Sequence, residues 1–220
     1  MALFRSASDR LRGTVASSLQ ERVALDIDRR VQLVLERSVV LWEQANWKRF
    51  DDLEENCTVQ IYRWCREAIR LDNRLCLLAL HLEWINTTPA ILAGDESVKS
   101  ARRPDLRIEV GQVGRAIECK RLAATGGWTR KYVHDGLARF VVGDYGHLEA
   151  VGYMVGYIQT GARPTVVAGI NKHIAAHPSM GVSHELKPIR DNGNLAWGRS
   201  NHPRPAGQSV EVEHLFVSMV

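Results

Sequence analysis

An α/β fold with an N-terminal helical hairpin is predicted by three features of this 220-residue chain. Two long stretches near the N terminus repeat their apolar residues every three or four positions, as the buried face of a helix does. A later stretch, 105 to 110, alternates charged and apolar residues one for one, as a strand does. Short β-branched runs, Thr165 to Ile170 and Val210 to Val217, read as further strands.

The first helix is predicted over residues 20 to 46, where Ala24, Ile27, Val31, Val34, Ser38, Leu41 and Ala45 fall on one face. The second runs from Asp51 or Asp52, either able to cap it, to Leu71, with Leu53, Cys57, Ile61, Trp64, Ala68 and Leu71 on one side. The two can pair as a hairpin packed on the rest of the chain. The heptad-like step also leaves a homodimer open, although Ser38 is a weak seam residue. Leu75 to Ile85 is dense in apolar residues and stops at Thr87-Thr88-Pro89, which suggests a third helix. Leu106, Ile108 and Val110 then form a strand, Gly111 to Gly114 a turn, and Arg115 to Arg121 a second strand, together a hairpin. After Gly126-Gly127 a helix is expected over Arg130 to Val142, and another over Leu148 to Gln159. The Gly152-x-x-x-Gly156 spacing inside that segment is expected to serve close packing. Asn192 to Gln208, rich in Gly, Pro and Asn, reads as a loop. These elements divide into a helical region, 1–72, and a larger α/β domain, 73–220.

Composition removes several classes of function. With 45% hydrophobic and 25% charged residues the chain can build a core, which excludes wholesale disorder. No apolar run approaches the roughly 18 to 20 residues that span a bilayer, so no membrane partner is expected. Arg5, Asp9, Arg10 and Arg12 interrupt the region where a secretory signal would be apolar, and the four cysteines form no C-x-x-C pair. The expectation is a cytoplasmic protein with reduced thiols. Net charge is only +4, but Lys99, Arg102, Arg103, Arg107, Arg115, Lys120, Arg121, Arg130 and Lys131 face just Asp105, Glu109 and Glu118 in their stretch. That excess suits a phosphate-rich partner, or is a solvated basic face.

If the hairpin closes with Val110 opposite Arg115, Asp105 lies opposite Lys120 and Arg107 opposite Glu118. The period of two then puts Asp105, Glu118 and Lys120 on one face, with Ile117 and Cys119 turned into the core. The plain alternative is a surface ion pair across a hairpin, which contributes only about 0 to 1 kcal/mol.

Pro104-Asp105 followed, thirteen residues after the aspartate, by Glu118-Cys119-Lys120 resembles the signature of the PD-(D/E)XK nuclease superfamily, the restriction-endonuclease-like enzymes. In a chain of this composition a [DE]-x-K triplet preceded within about twenty residues by Pro-Asp arises by chance roughly 2% of the time. Glu185-Leu186-Lys187 is such a triplet without the pair. The resemblance covers roughly residues 75 to 170. It implies a central mixed β-sheet flanked by helices, and a Mg²⁺- or Mn²⁺-dependent endonuclease acting on DNA, with RNA also open, in restriction or antiviral defence. It further implies Asp105 and Glu118 as metal ligands, joined by the backbone carbonyl of Cys119, and Lys120 as the residue that positions water or stabilises the transition state. A further acid from the preceding helix would be Glu83, with Glu67 as the other candidate. Arg102, Arg103, Arg121, Arg130 and Lys131 would contact phosphates, and Trp128 could stack on a base. A catalytically silent module of the same fold, binding nucleic acid or a protein, is the alternative, and a helical interaction protein carried by residues 20 to 71 is a third.

Other motifs carry less. His173 and His177 stand four apart as zinc ligands on a helix do, but the Glu of H-E-x-x-H is missing and Pro178 follows. Ser200-Asn201-His202-Pro203-Arg204 resembles a tail of small restriction-like nucleases, in which His202 or Arg204 could reach a phosphate, or is a polar loop needing no function. There is no Walker loop, so a partner ATPase or helicase would have to supply any energy-driven step.

Overall fold

The structure, a computed structural model, describes residues 17–85, 103–205 and 207–219, together with Ala93, Asp95 and Ser97. Helix α1 (Ser17–Gln44) and helix α2 (Glu54–Leu71) pack side by side. The buried residues of α1 keep the expected Ile27, Val31, Val34 and Ser38 but continue through Leu35, Val39 and Trp42, with Leu41 and Ala45 only half-buried. On α2 the expected Cys57, Ile61 and Ala68 are buried, whereas Leu53 and Leu71 at its ends are exposed. Ser38 is tolerated there because its Oγ donates to the Leu35 carbonyl at 2.7 Å. Ahead of α2, the Asp51 carboxylate accepts from the Leu53 N–H and the Asn56 amide, both at 2.8 Å. Glu54 and Glu55 then occupy the first turn, where the helix dipole favours negative charge.

Seven strands form one mixed sheet: β1 (Ala79–Leu82), β2 (Leu106–Val110), β3 (Val113–Ala123), β4 (Val151–Thr160), β5 (Lys187–Asn192), β6 (Leu195–Pro203) and β7 (Ser209–Ser218). Their order is β1-β2-β3-β4-β7-β6-β5. The three central strands, β3, β4 and β7, run parallel; the outer pairs are antiparallel. Helix α3 crosses from β3 to β4. It begins as Trp128–Lys131, loosens into a π-helical turn over Tyr132–Leu137 and ends as Ala138–Val142. Helix α4 (Arg163–Ala176) follows β4.

The central strands β3, β4 and β7 are buried on both faces. Ile117 and Cys119 of β3, with Tyr153, Val155 and Leu215, pack on α1 and α2. Ala116, Leu122, Met154 and Phe216 pack with Tyr132, Leu137 and Phe140 of α3 and with Val166 and Ile170 of α4. The boundary near residue 72 therefore separates elements along the chain, while the packing joins α1 and α2 to the sheet in one core. No helix among the described residues is long and apolar enough to cross a membrane.

Four elements differ from the sequence reading, each for a physical reason. Leu148 to Gln159 holds β4, not a helix: buried on both faces, it has no polar alternation, and such a run cannot be told from a buried helix by period. Its Gly-x-x-x-Gly spacing does serve close packing, since a Cβ on Gly152 would lie 2.4 Å from the Phe140 ring and one on Gly156 2.4 Å from Leu122. Thr165 to Ile170 is part of α4, where Val166, Ile170 and Ile174 form a helical stripe that outweighs β-branched propensity. Leu75 to Ile85 is a 3₁₀ turn, Asn73–Leu75, followed by strand β1. Asn192 to Gln208 contains strand β6, which pairs with β5 across a two-residue turn at Gly193 and Asn194.

The β2–β3 hairpin is tighter than expected. Val110 pairs with Val113, not Arg115, around Gly111 and Gln112, with Gly111 at φ +60° supplying the left-handed turn. Arg107 therefore lies opposite Ala116 rather than Glu118. A shift of two residues keeps every side chain on its face. Asp105, one residue before the Leu106–Ile117 pair, thus comes abreast of Glu118 instead of Lys120.

Candidate active site

Strand β3 runs in the middle of the sheet, so its alternate side chains enter two different environments. Cys119 points among the apolar residues below α1 and α2, where burial pushes its thiol well above the usual range. Glu118 and Lys120 point the other way, beside α3. Gly136 in the π-helical turn lets that helix lie close: a Cβ there would stand 2.7 Å from Met154 Cε and 3.5 Å from Lys120 Cγ.

Glu118 is 1% exposed, a burial that carboxylates tolerate only when paired. Its Oε1 accepts from Lys120 Nζ at 2.8 Å and from Arg139 Nη1 of α3 at 3.2 Å. Its Oε2 is buried with no hydrogen-bond partner. Asp105 sits at the entry to β2, its Oδ2 accepting from the Cys119 N–H at 2.7 Å. Burial and the neighbouring Glu118 carboxylate push Asp105 up to about 7, against the pull of Lys120. Lys120 Nζ uses all three of its donors, to Glu118 Oε1, to Glu54 Oε1 at 2.9 Å and to the Cys119 carbonyl at 3.1 Å. Glu118, Glu54 and Asp105 hold its ammonium above the ordinary lysine range in spite of burial.

Two members of this constellation were not singled out from sequence. Glu54 comes from the first turn of α2, and its second oxygen accepts from the Arg121 N–H at 2.8 Å, which fixes the carboxylate against β3. Arg139 is tethered in turn by the Tyr145 hydroxyl, which donates to the Arg103 carbonyl at 3.0 Å. A signal for Glu54 existed, an acid in the first turn of a helix ahead of the hairpin. Arg139 left none, because its approach depends on how α3 crosses the sheet. Glu83 is placed differently: its N–H donates to the Asp105 carbonyl at 2.8 Å, at φ +51°, while its side chain is exposed. Glu67 pairs with Arg70 on the outer side of α2.

The basic candidates divide. The Arg121 guanidinium stacks 3.8 Å from the centre of the Trp128 ring, and Lys131 Nζ lies 4.7 Å from it, so these three form one cation–π cluster beside the site. Arg103 and Arg130 are exposed. Arg102 lies outside the described residues.

The C-terminal histidine and arginine are structural. Arg204 is buried and donates to the carbonyls of Phe140, His147, Glu149 and Tyr145, which ties the end of α3 to the loop before β4. His202, Ser200, His214 and Tyr132 form a buried hydrogen-bonded chain with links of 2.7 to 2.8 Å. His173 and His177 both face His134, with ring centres 6.4 and 4.8 Å apart. Among the described residues no three His, Cys, Asp or Glu side chains form a ready-made metal-holding group.

For a hard divalent cation the donor set has the right chemistry: two carboxylates and a backbone carbonyl, all oxygen. The partnerless Oε2 of Glu118 is the observation that fits such a group, since a buried charged oxygen without a protein partner is a place for an ion or an ordered water. No family model, curated protein or solved structure matches this chain.

Proposed function

We propose that the chain is a metal-dependent nuclease, hydrolysing DNA phosphodiester bonds on a restriction-endonuclease-like core. The observation that carries this is Glu118: a buried carboxylate, abreast of Asp105 and next to Lys120, with one oxygen unpaired. Its placement supports the reading drawn from Pro104-Asp105 and Glu118-Cys119-Lys120. Asp105, Glu118 and the Cys119 carbonyl would hold Mg²⁺ or Mn²⁺. When bound, the cation would supply positive charge to the phosphoryl oxygens and lower the pKa of water.

The chain's own groups do the rest. Lys120 directs an N–H at the attacking water or at a phosphoryl oxygen, where charge builds in the transition state. Glu54 holds that ammonium in place and keeps it charged. Arg121 and Lys131, braced on Trp128, take the flanking phosphates, which fixes the register of the strand without reading its bases. A role in restriction or antiviral defence within the cytoplasm follows from the motif's resemblance alone.

The test is digestion of end-labelled duplex DNA, single-stranded DNA and RNA in Mg²⁺, in Mn²⁺ and in EDTA. Cation-dependent cutting of DNA is expected, and cutting confined to RNA would reassign the substrate. Binding of nucleic acid with no cleavage in any cation would replace the enzyme with the binding module.

A further inference from the structure

Lys120 stands among the oxygens that the nuclease reading assigns to the cation. Nζ is 2.8 Å from Glu118 Oε1 and 3.1 Å from the Cys119 carbonyl. A cation that used the free Oε2 of Glu118 together with Oε1 and the Cys119 carbonyl, at about 2.0 to 2.6 Å, would need nearly the same position as the ammonium. Two positive charges do not share it. The third contact of Nζ differs in kind, because Glu54 belongs to α2 and is anchored independently by the Arg121 N–H.

Resting on that reading, we propose that Lys120 serves as the site's own cation until a divalent ion binds, and that the ion loads by exchange with it. The entering ion takes over Glu118 and the Cys119 carbonyl. Lys120 gives up those two contacts and keeps the third, so it pivots about Glu54 and turns its freed N–H groups outward to the phosphate. Loading and arming of the lysine are thereby one event. The unloaded site also keeps its buried Glu118 neutralised, with Arg139 as the second partner of the same oxygen. Asp105, its Oδ2 held by the Cys119 N–H, is already in place and joins the entering ion without a lysine contact to give up.

The experiment uses the full chain without nucleic acid and takes Mn²⁺ as the probe. Calorimetric affinity is measured for wild type, Lys120→Met and Arg139→Gln, and Lys120 is mapped by amine-reactive labelling with and without the ion. Exchange predicts that Lys120→Met binds Mn²⁺ at least tenfold more tightly. Arg139→Gln removes a positive charge from Glu118 but does not vacate the position between Glu118 and the Cys119 carbonyl, and should gain less than threefold. Labelling of Lys120 in the wild type should rise when Mn²⁺ is added, and this arm stands even if Lys120→Met fails to fold. Equal or weaker affinity of a folded Lys120→Met, equal gains in both variants, or labelling that is unchanged or suppressed by Mn²⁺ overturns the exchange. Mn²⁺ uptake with none of the predicted changes removes the exchange alone, whereas no uptake by any form removes the nuclease reading on which it rests.

Discussion

The neutral burial of His202 should make the protein less stable in mild acid, by an amount that follows from its surroundings. The ring, carried by β6, is fully buried and bonded through Nε2 to Ser200, with Nδ1 lacking a partner. Burial first, and then the neighbouring His184 and His177, push it down from 6.5 to about 4. Between those values the unfolded chain binds a proton that the folded chain refuses. The stability tied to His202 is therefore complete above about pH 6.5 and is lost as pH falls toward 4. One unit below 6.5, at about pH 5.5, the loss is about 1.4 kcal/mol relative to about pH 7.5. Asp105 and Glu213 are shifted upward by burial and act in the opposite sense, so the wild-type pH profile alone does not isolate the effect. The comparison that does is urea unfolding of wild type and His202→Gln at both pH values. The variant should be less stable at pH 7.5 yet lose about 1.4 kcal/mol less on going to pH 5.5. Parallel profiles for the two proteins would refute the burial and neutrality assigned to His202.

Three further perturbations probe the site. Cys119→Ser puts a hydroxyl into a buried position that the Tyr157 hydroxyl can partner, and should cost about 1 kcal/mol in urea unfolding while keeping the backbone carbonyl and whatever chemistry survives in the folded fraction. Asp105→Asn removes one ligand charge from a half-buried position, so calorimetry should show weaker Mn²⁺ binding with the circular dichroism spectrum unchanged; an unfolded variant would indicate a structural ion pair instead. Arg121→Gln and Lys131→Gln should each weaken duplex binding, measured in Ca²⁺, about equally across sequences and lower the salt slope by about one.

The parts of this fold that show in the sequence are those whose environment is one-sided. Helices α1 and α2 bury a single stripe, and β2 alternates, so their periods are readable. The central strand β4 and the helix α4 are not, because β4 is covered on both faces and α4 is short and rich in β-branched residues. The same division runs through the site. Asp105, Glu118 and Lys120 could be placed on one face from the period of β3 and the hairpin, and a turn two residues tighter left that face intact. Glu54 and Arg139 reach the site across long sequence separations, 66 residues between Glu54 and Lys120 and 21 between Arg139 and Glu118. An acid in the first turn of α2 is the local sign of Glu54 and nothing local marks Arg139; both approaches follow from how α2 and α3 lie against β3.

The most direct measurement is the single-turnover rate at which wild type and Lys120→Ala cut an end-labelled DNA duplex in saturating Mg²⁺, with EDTA as the blank and urea unfolding as the check on folding. Arg139 still pairs with Glu118 Oε1 once Lys120 is removed, so the variant should fold, and urea unfolding reads any loss of stability. Loss of Lys120 from the transition state should lower the rate by about a thousandfold, roughly the effect of deleting one preorganised charged donor. EDTA should abolish cutting by the wild type. A folded Lys120→Ala that cuts at the wild-type rate, or cutting that persists in EDTA, would contradict the assignment of Asp105, Glu118 and Lys120 as the centre of a metal-dependent nuclease.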